Sequence, residues 1–335
     1  NIEVKAGGDA ILAEKDAVTV GVVDGVLTGK VDDQGVVSAT RADADLTGIN
    51  SGESATLVAG GKVLVSEEVA AGANILVQAE ADGIEQNADI AAVQSASMIA
   101  DSGNVNVNAD VTATAHDASV EAKNGNVIMA GGTTVKAGNN AYVGASGEVD
   151  LSVVDAAGAA WIDAGGDITA VESQKISASN LRLESKNGDI GKDGDPIELS
   201  VSKLEIAARN GSAYFHDSGS DALTIGGSQP STFKVDIVSP DGTAGSSSKI
   251  PTETGNGIAV GEGVQLVSEG DIVIDGSIEG RNVAIATPGN LSQTQNNEVA
   301  VSKGFAEVND SIPSAIGGAS VTITAGSVGT VGKNS

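Results

Sequence analysis

Three groups of residues in this chain have types and spacing that could do chemistry. Asp189, Asp193 and Asp195, in the run Asp-Ile-Gly-Lys-Asp-Gly-Asp, offer several carboxylate oxygens of the kind a hard cation such as calcium takes. Their spacing fits neither the EF-hand loop nor the Gly-Gly-x-Gly-x-Asp nonapeptide, and Lys192 stands among them. The run therefore reads as a solvated turn, with weak calcium binding as the alternative. Arg182 and Arg209, beside Glu184 and Glu205, are the basic and acidic pairs that a polysaccharide lyase or hydrolase would use to neutralise a uronate and move a proton. Alternating charges on an exposed strand face account for them equally well. The 2 histidines, His116 and His216, lie far apart, whereas a triad or a zinc site needs convergent ligands. Both read as surface residues.

Other signals are weaker. Gly131-Gly132 and Gly165-Gly166 are not followed by Lys-Ser/Thr and a helix, so they read as turns and not as phosphate loops. Asn290-Leu291-Ser292 and Asn309-Asp310-Ser311 match the glycosylation acceptor pattern, which is frequent by chance. There is no cysteine, which excludes disulfides and thiolate metal sites. No catalytic, cofactor-binding or metal residue is assigned.

These side chains must be positioned by a repeat. Gly103-Asn104-Val105, Gly125-Asn126-Val127, Gly147-Glu148-Val149, Gly166-Asp167-Ile168, Gly188-Asp189-Ile190 and Gly211-Ser212-Ala213 follow one another at intervals of 22, 22, 19, 22 and 23 residues. A fixed period of this size, in units too small to bury an apolar face alone, signals stacked repeats. Within one unit Val105/Val107/Ala109, Val111/Ala113/Ala115 and Val120/Ala122 alternate with polar residues at strand period. Three short strands of about five residues make one turn of a parallel β-helix, and turns stack about 4.8 Å apart. Glycine at the bends is expected to supply positive φ. Asn104 and Asn126 are expected to bond along the stack, while stacked carboxylates such as Asp167 and Asp189 would repel by about 0.8 kcal/mol in water.

Composition agrees. Apolar residues make up 40% and aromatics only 2%, with a single Trp161, as a narrow aliphatic interior requires. A net charge of −27 disfavours nucleic acid and anionic membranes, keeps a rod soluble and would attract divalent cations. No apolar run reaches the roughly 18 residues of a membrane span, and no signal-peptide pattern opens the chain. The chain begins and ends mid-pattern, as a processed segment would.

The reading is one all-β rod, a parallel β-helix over residues 1–335. Its regular core is residues 56–227, its excursions are residues 40–55 and 228–257, and coil resumes over residues 258–335. If the whole chain were coil it would give roughly 15 turns and a rod about 70 Å long. Lys234 to Val238 is expected as a short strand inside the second excursion, and helix is not expected anywhere.

Asn187-Gly188-Asp189-Ile190-Gly191, followed by Asp195-Pro196-Ile197, Val201-Ser202-Lys203-Leu204 and Asn210-Gly211-Ser212-Ala213-Tyr214, resembles the filamentous-haemagglutinin-like repeat regions of large bacterial exoproteins secreted by the two-partner route. The resemblance covers about a third of the chain, with echoes from Gly61 and Gly270. It implies a right-handed β-helix shaft, secreted or held at a bacterial surface, serving a non-catalytic adhesin or biofilm-matrix protein. No cofactor is implied. The implied partners are a surface glycan or protein or a matrix polysaccharide, and end-to-end self-association is possible for a rod with open edges. The alternatives are a self-assembling extracellular filament and a polysaccharide-degrading β-helix enzyme.

Overall fold

The structure is a computed structural model and describes residues 1–23, 27–31, 33–35, 37–42, 46–171, 173–219, 221–227, 233–251, 256–294, 316–317 and 320–328. Among these the chain is all strand, turn and bend, with no helix. Strands stack in parallel with a spacing of ~21 residues into a β-solenoid of about 11 turns. Two segments that leave the coil account for part of the difference from 15 turns.

Each regular turn has three faces. One is typified by Val69–Ala71, Ile90–Ala92 and Val111–Ala113, a second by Ile75–Ala79, Ala96–Ala100 and Ala118–Ala122, and a third by Ile84–Gln86, Val105–Val107 and Val127–Met129. The second face repeats the phrase Ala-x-Φ-x-Ala, as in Ala118-Ser119-Val120-Glu121-Ala122 and Ala141-Tyr142-Val143-Gly144-Ala145. In these phrases the inward residue is largest mid-face and alanine fills the corners, a position that Ile75 and Leu181 take on other turns. On the third face Val63, Ile84, Val105, Val127, Val149, Ile168, Ile190 and Ala213 pair turn upon turn in one column, each 1% exposed or less. In the neighbouring column, Gln86 takes a core position between Val65 and Val107. Its amide donates to the carbonyls of Ala88 and Asp110 at 2.9 and 3.1 Å.

The bends depart from the expectation for glycine. Gly83 and Gly103 do have φ of 77° and 89°. Gly125 and Gly211 instead have ordinary φ, and glycine is needed because a Cβ at either would lie 2.2 Å from the carbonyl oxygen of Gly103 or Gly188 one turn away. Close axial stacking of backbone, more than handedness, selects the residue. Nor are the stacked acids simply repulsive. Asp167 Oδ1 accepts the backbone N–H of Asp189 at 2.8 Å, and Asp189 Oδ1 accepts that of Ser212 at 2.6 Å. Asn104 and Asn126 do the same for Asn126 and Glu148, both at 2.9 Å. A carboxylate and a carboxamide oxygen both bond main chain across the turn, which is why acids are tolerated at the bends.

The first excursion lies earlier than residues 40–55. Ile49–Ser51 and Ala55–Ala59 are coil strands, with Ile49 and Leu57 in the core. The departure falls between Val23 and Gly48, where Leu27–Val31 and Val37–Ala42 form an antiparallel hairpin. The charged stretch from Arg41 masked the in-out-in pattern of Ile49-Asn50-Ser51. A second segment leaves the coil after Ile225 and returns at Ile258. Its strand Phe233–Val238 pairs antiparallel with Ala244–Lys249. It is inserted in mid-strand, because Ile225 stacks on Leu204 and Ile258 on Ile206, two residues further along the same underlying strand. Gly226, Gly227 and Gly257, with φ of 79°, 91° and 124°, turn the chain out of the sheet and back into it.

Candidate functional site

The second excursion folds back along the rod and covers its second face, and several charged groups gather there. The hairpin takes two residues per turn of coil. Lys234 O accepts from Asn140 Nδ2 at 3.1 Å, Asp236 N donates to Asp117 Oδ2 at 2.7 Å, and Val238 N donates to Ser97 Oγ at 3.0 Å. At the tip the carbonyls of Pro240 and Gly242 accept from Thr56, Ser54 and Asn74, each at 3.0 Å. The outer edge of Phe233–Val238 is thus satisfied by side chains from successive turns.

Beneath it lies an apolar stripe that faces outward from the coil. Leu76 and Ile99 pack with Val238, while Tyr142 and Trp161 pack with Val235 and Phe233. The Trp161 ring meets Tyr142 and Phe233 edge to face at 5.8 and 5.7 Å. Gly144 is the seat of the Tyr142 ring, for a Cβ there would lie 2.3 Å from the phenol oxygen. Lys249 binds both oxygens of Glu121 at 2.9 Å and stands 4.3 Å above the Tyr142 ring. His116 Nδ1 lies 3.7 Å from Asp236 on the hairpin.

Where the hairpin leaves the coil, the stripe passes into a buried ionic network. Arg182, 12% exposed, pairs with Glu205 at 2.9 Å and Glu184 at 3.3 Å, both carboxylates being almost wholly buried. Arg182 also lies 6.0 Å from the Trp161 ring. Asp163 pairs with Lys186 at 3.3 Å. Burial pushes the carboxyls of Asp163 and Glu205 up, against the attraction of Lys186 and Arg182 respectively. Burial also raises the Tyr142 hydroxyl, helped by Glu121, Asp163 and Glu184. A cavity of about 190 Å³ opens here among Glu121, Lys123, Tyr142, Asp163 and Lys186.

Of the residues singled out from sequence, Arg182, Glu184 and Glu205 come together. Arg209 does not join them and lies 3.9 Å from Glu279 instead. Asp189 caps the next turn, while Asp193 and Asp195 sit in a loop closed by reciprocal 3.0 Å bonds between the backbones of Lys192 and Asp195. Among the described residues no group of three or more His, Asp or Glu could hold a metal. His216 is more engaged than a plain surface histidine, with Nδ1 2.9 Å from Glu198 and Nε2 3.7 Å from Glu269. Gly132, with φ 87°, sits in a turn closed by Thr133 N to Ala130 O at 3.1 Å. Asn309 lies outside the described residues. The covered stripe went unread in sequence, although it left a signal. Leu76, Ile99, Tyr142 and Trp161 are large and apolar at outward positions where the same phrase also places polar residues such as Thr56, Gln78, Ser97, Ser119 and Glu121.

Comparison with known proteins finds no matching family model, curated protein or solved structure.

Proposed function

We propose that this chain is a non-catalytic shaft segment of a secreted bacterial surface adhesin or matrix protein, a stiff spacer that carries binding modules away from their anchor. The observation that carries the reading is the unbroken column from Val63 to Ala213 on the third face, with main-chain pairing at every step. Such a column makes a rod whose axial hydrogen bonds all lie along its length. The haemagglutinin-like phrases supply the surface setting. The acidic sheath suits a rod kept apart from its neighbours. Arg182 supports the non-catalytic reading, because the buried Glu184 and Glu205 are held against it and occupy its guanidinium.

Small-angle scattering should give a rigid rod about 50 Å long, from about 11 turns at roughly 4.8 Å each. A compact or flexible particle would refute the shaft. Incubation with acidic and neutral glycans should yield no new reducing ends or unsaturated products. Turnover abolished by Arg182→Ala would instead establish the polysaccharide-degrading alternative.

A further inference from the structure

The hairpin is bonded to the coil it covers, yet the strand pairing of the coil continues on both sides of it. Ile225 and Ile258 rest on neighbouring positions of the strand below, so the core column runs on past the insertion. Both exits are glycines at positive φ, with Gly226 and Gly227 on one leg and Gly257 on the other. The covering is also imperfect. The buried atoms Trp161 Nε1, Ser119 Oγ and Ser95 Oγ have no hydrogen-bond partner among the described residues, and water would satisfy Trp161 and Ser119 if the hairpin lifted. Trp161 and Ser119 face outward on the covered face, and Ser95 lies in the corner column between Asn74 and Asp117 that pins the hairpin. By contrast, Val120, the inward neighbour of Ser119, lies wholly within the aliphatic core.

We propose that the hairpin is a hinged lid that opens while the coil stays folded, uncovering a latent docking face for an extended polypeptide strand. The chemistry of that partner is set by what now occupies the face. The strand Phe233–Val238 offers an open backbone edge to Asn140, Asp117 and Ser97, and sets Phe233 and Val235 against Trp161 and Tyr142. A strand with apolar residues at alternate positions would reproduce those contacts, and a basic residue on an antiparallel neighbour would reproduce that of Lys249 with Glu121. This inference is independent of the shaft reading, since a rod with a permanently closed lid would still be a rod.

The chain has no cysteine, so single thiols can be placed without background. Ser119→Cys and Val120→Cys, made separately in the full chain, put a thiol under the lid and in the core at adjacent positions. In native buffer the Ser119→Cys thiol should react with a small disulfide reagent more than about tenfold faster than that of Val120→Cys, the mark of a sub-global opening. Adding Lys249→Ala should raise the first rate and leave the second unchanged. A synthetic peptide of residues 231–251, in excess over the Ser119→Cys/Lys249→Ala chain, should slow labelling by occupying the opened face. Equal rates for the two thiols at every denaturant concentration would refute an independent lid. Faster labelling that the peptide leaves untouched would refute the docking face. Should Val120→Cys prove unstable, hydrogen exchange on the unaltered chain gives the same comparison. Amides of Phe233–Lys249 exchanging at the rate of the coil strands would overturn the proposal.

Discussion

At the scale of single residues, the bends carry the most specific chemistry. Glycine there is selected by a carbonyl one turn away, so the effect of a methyl group depends on the stack and not on local conformation. Gly125→Ala, at ordinary φ but 2.2 Å from the Gly103 oxygen, should cost about 1–3 kcal/mol in urea unfolding. Gly8→Ala, where a Cβ meets nothing within 4 Å, should be neutral or stabilise by about 0.4–1 kcal/mol through the unfolded chain. Buried acids set the pH response. Asp217 is fully buried, and its carboxyl is raised by burial, against hydrogen bonds from Ser268, Gly219 and Val201. A raised folded-state value means that the native protein holds the proton more tightly than the unfolded chain. Stability therefore falls as pH rises from the unfolded value of about 3.9 through the higher folded one. Asp163 and Glu205 act in the same direction. Thermal melting followed from pH 4 to 7 should show this fall, and Asp217→Asn should make it shallower.

At the scale of elements, the lid hairpin is what distinguishes this coil from a bare solenoid. Nearest-neighbour coupling alone lets a solenoid fray turn by turn. The hairpin adds contacts from Thr56 to Asn140, tying the intervening turns into one block. The unpartnered Trp161 Nε1 and Ser119 Oγ on the covered face each oppose closure by about 1–3 kcal/mol, in the direction of a lid less stable than the columns beneath it. Trp161 is the only tryptophan and lies on the covered face of the coil, so its emission reports on that face. Lys249→Ala removes the Glu121 pair and the contact over Tyr142. It should shift Trp161 emission to the red at a lower urea concentration than the loss of the far-ultraviolet β signal, giving two transitions where the unaltered chain has closer ones.

At the scale of the whole molecule, charge and shape act together. A net charge of −27 spread along a rod is self-repelling, and only short-range partners such as Lys62 with Glu85 and Lys123 with Asp101 offset it locally. Raising salt from about 10 to 300 mM shortens the screening length severalfold, so the melting temperature should rise with ionic strength. A fall would mean that the surface ion pairs outweigh the net repulsion.

The fold was legible because a solenoid writes its tertiary contacts into its own period. When Val105 lies on Val127, the contact distance in sequence equals the repeat, and strand alternation, corner glycine and aliphatic columns can be read from one unit and copied. The interval from Gly103 to Gly211 by itself determined the parallel β-helix and its third-face column. What breaks the period could only be seen in three dimensions. The displaced first excursion, the core Gln86 and the hairpin lying across the second face depend on contacts between residues such as Val238 and Ser97, whose separation in sequence follows no repeat. Likewise, Arg182, Glu184 and Glu205 could be listed together from sequence. Only the folded lid and coil decided that they would be buried as one ionic network and that Arg209 would lie by Glu279 instead.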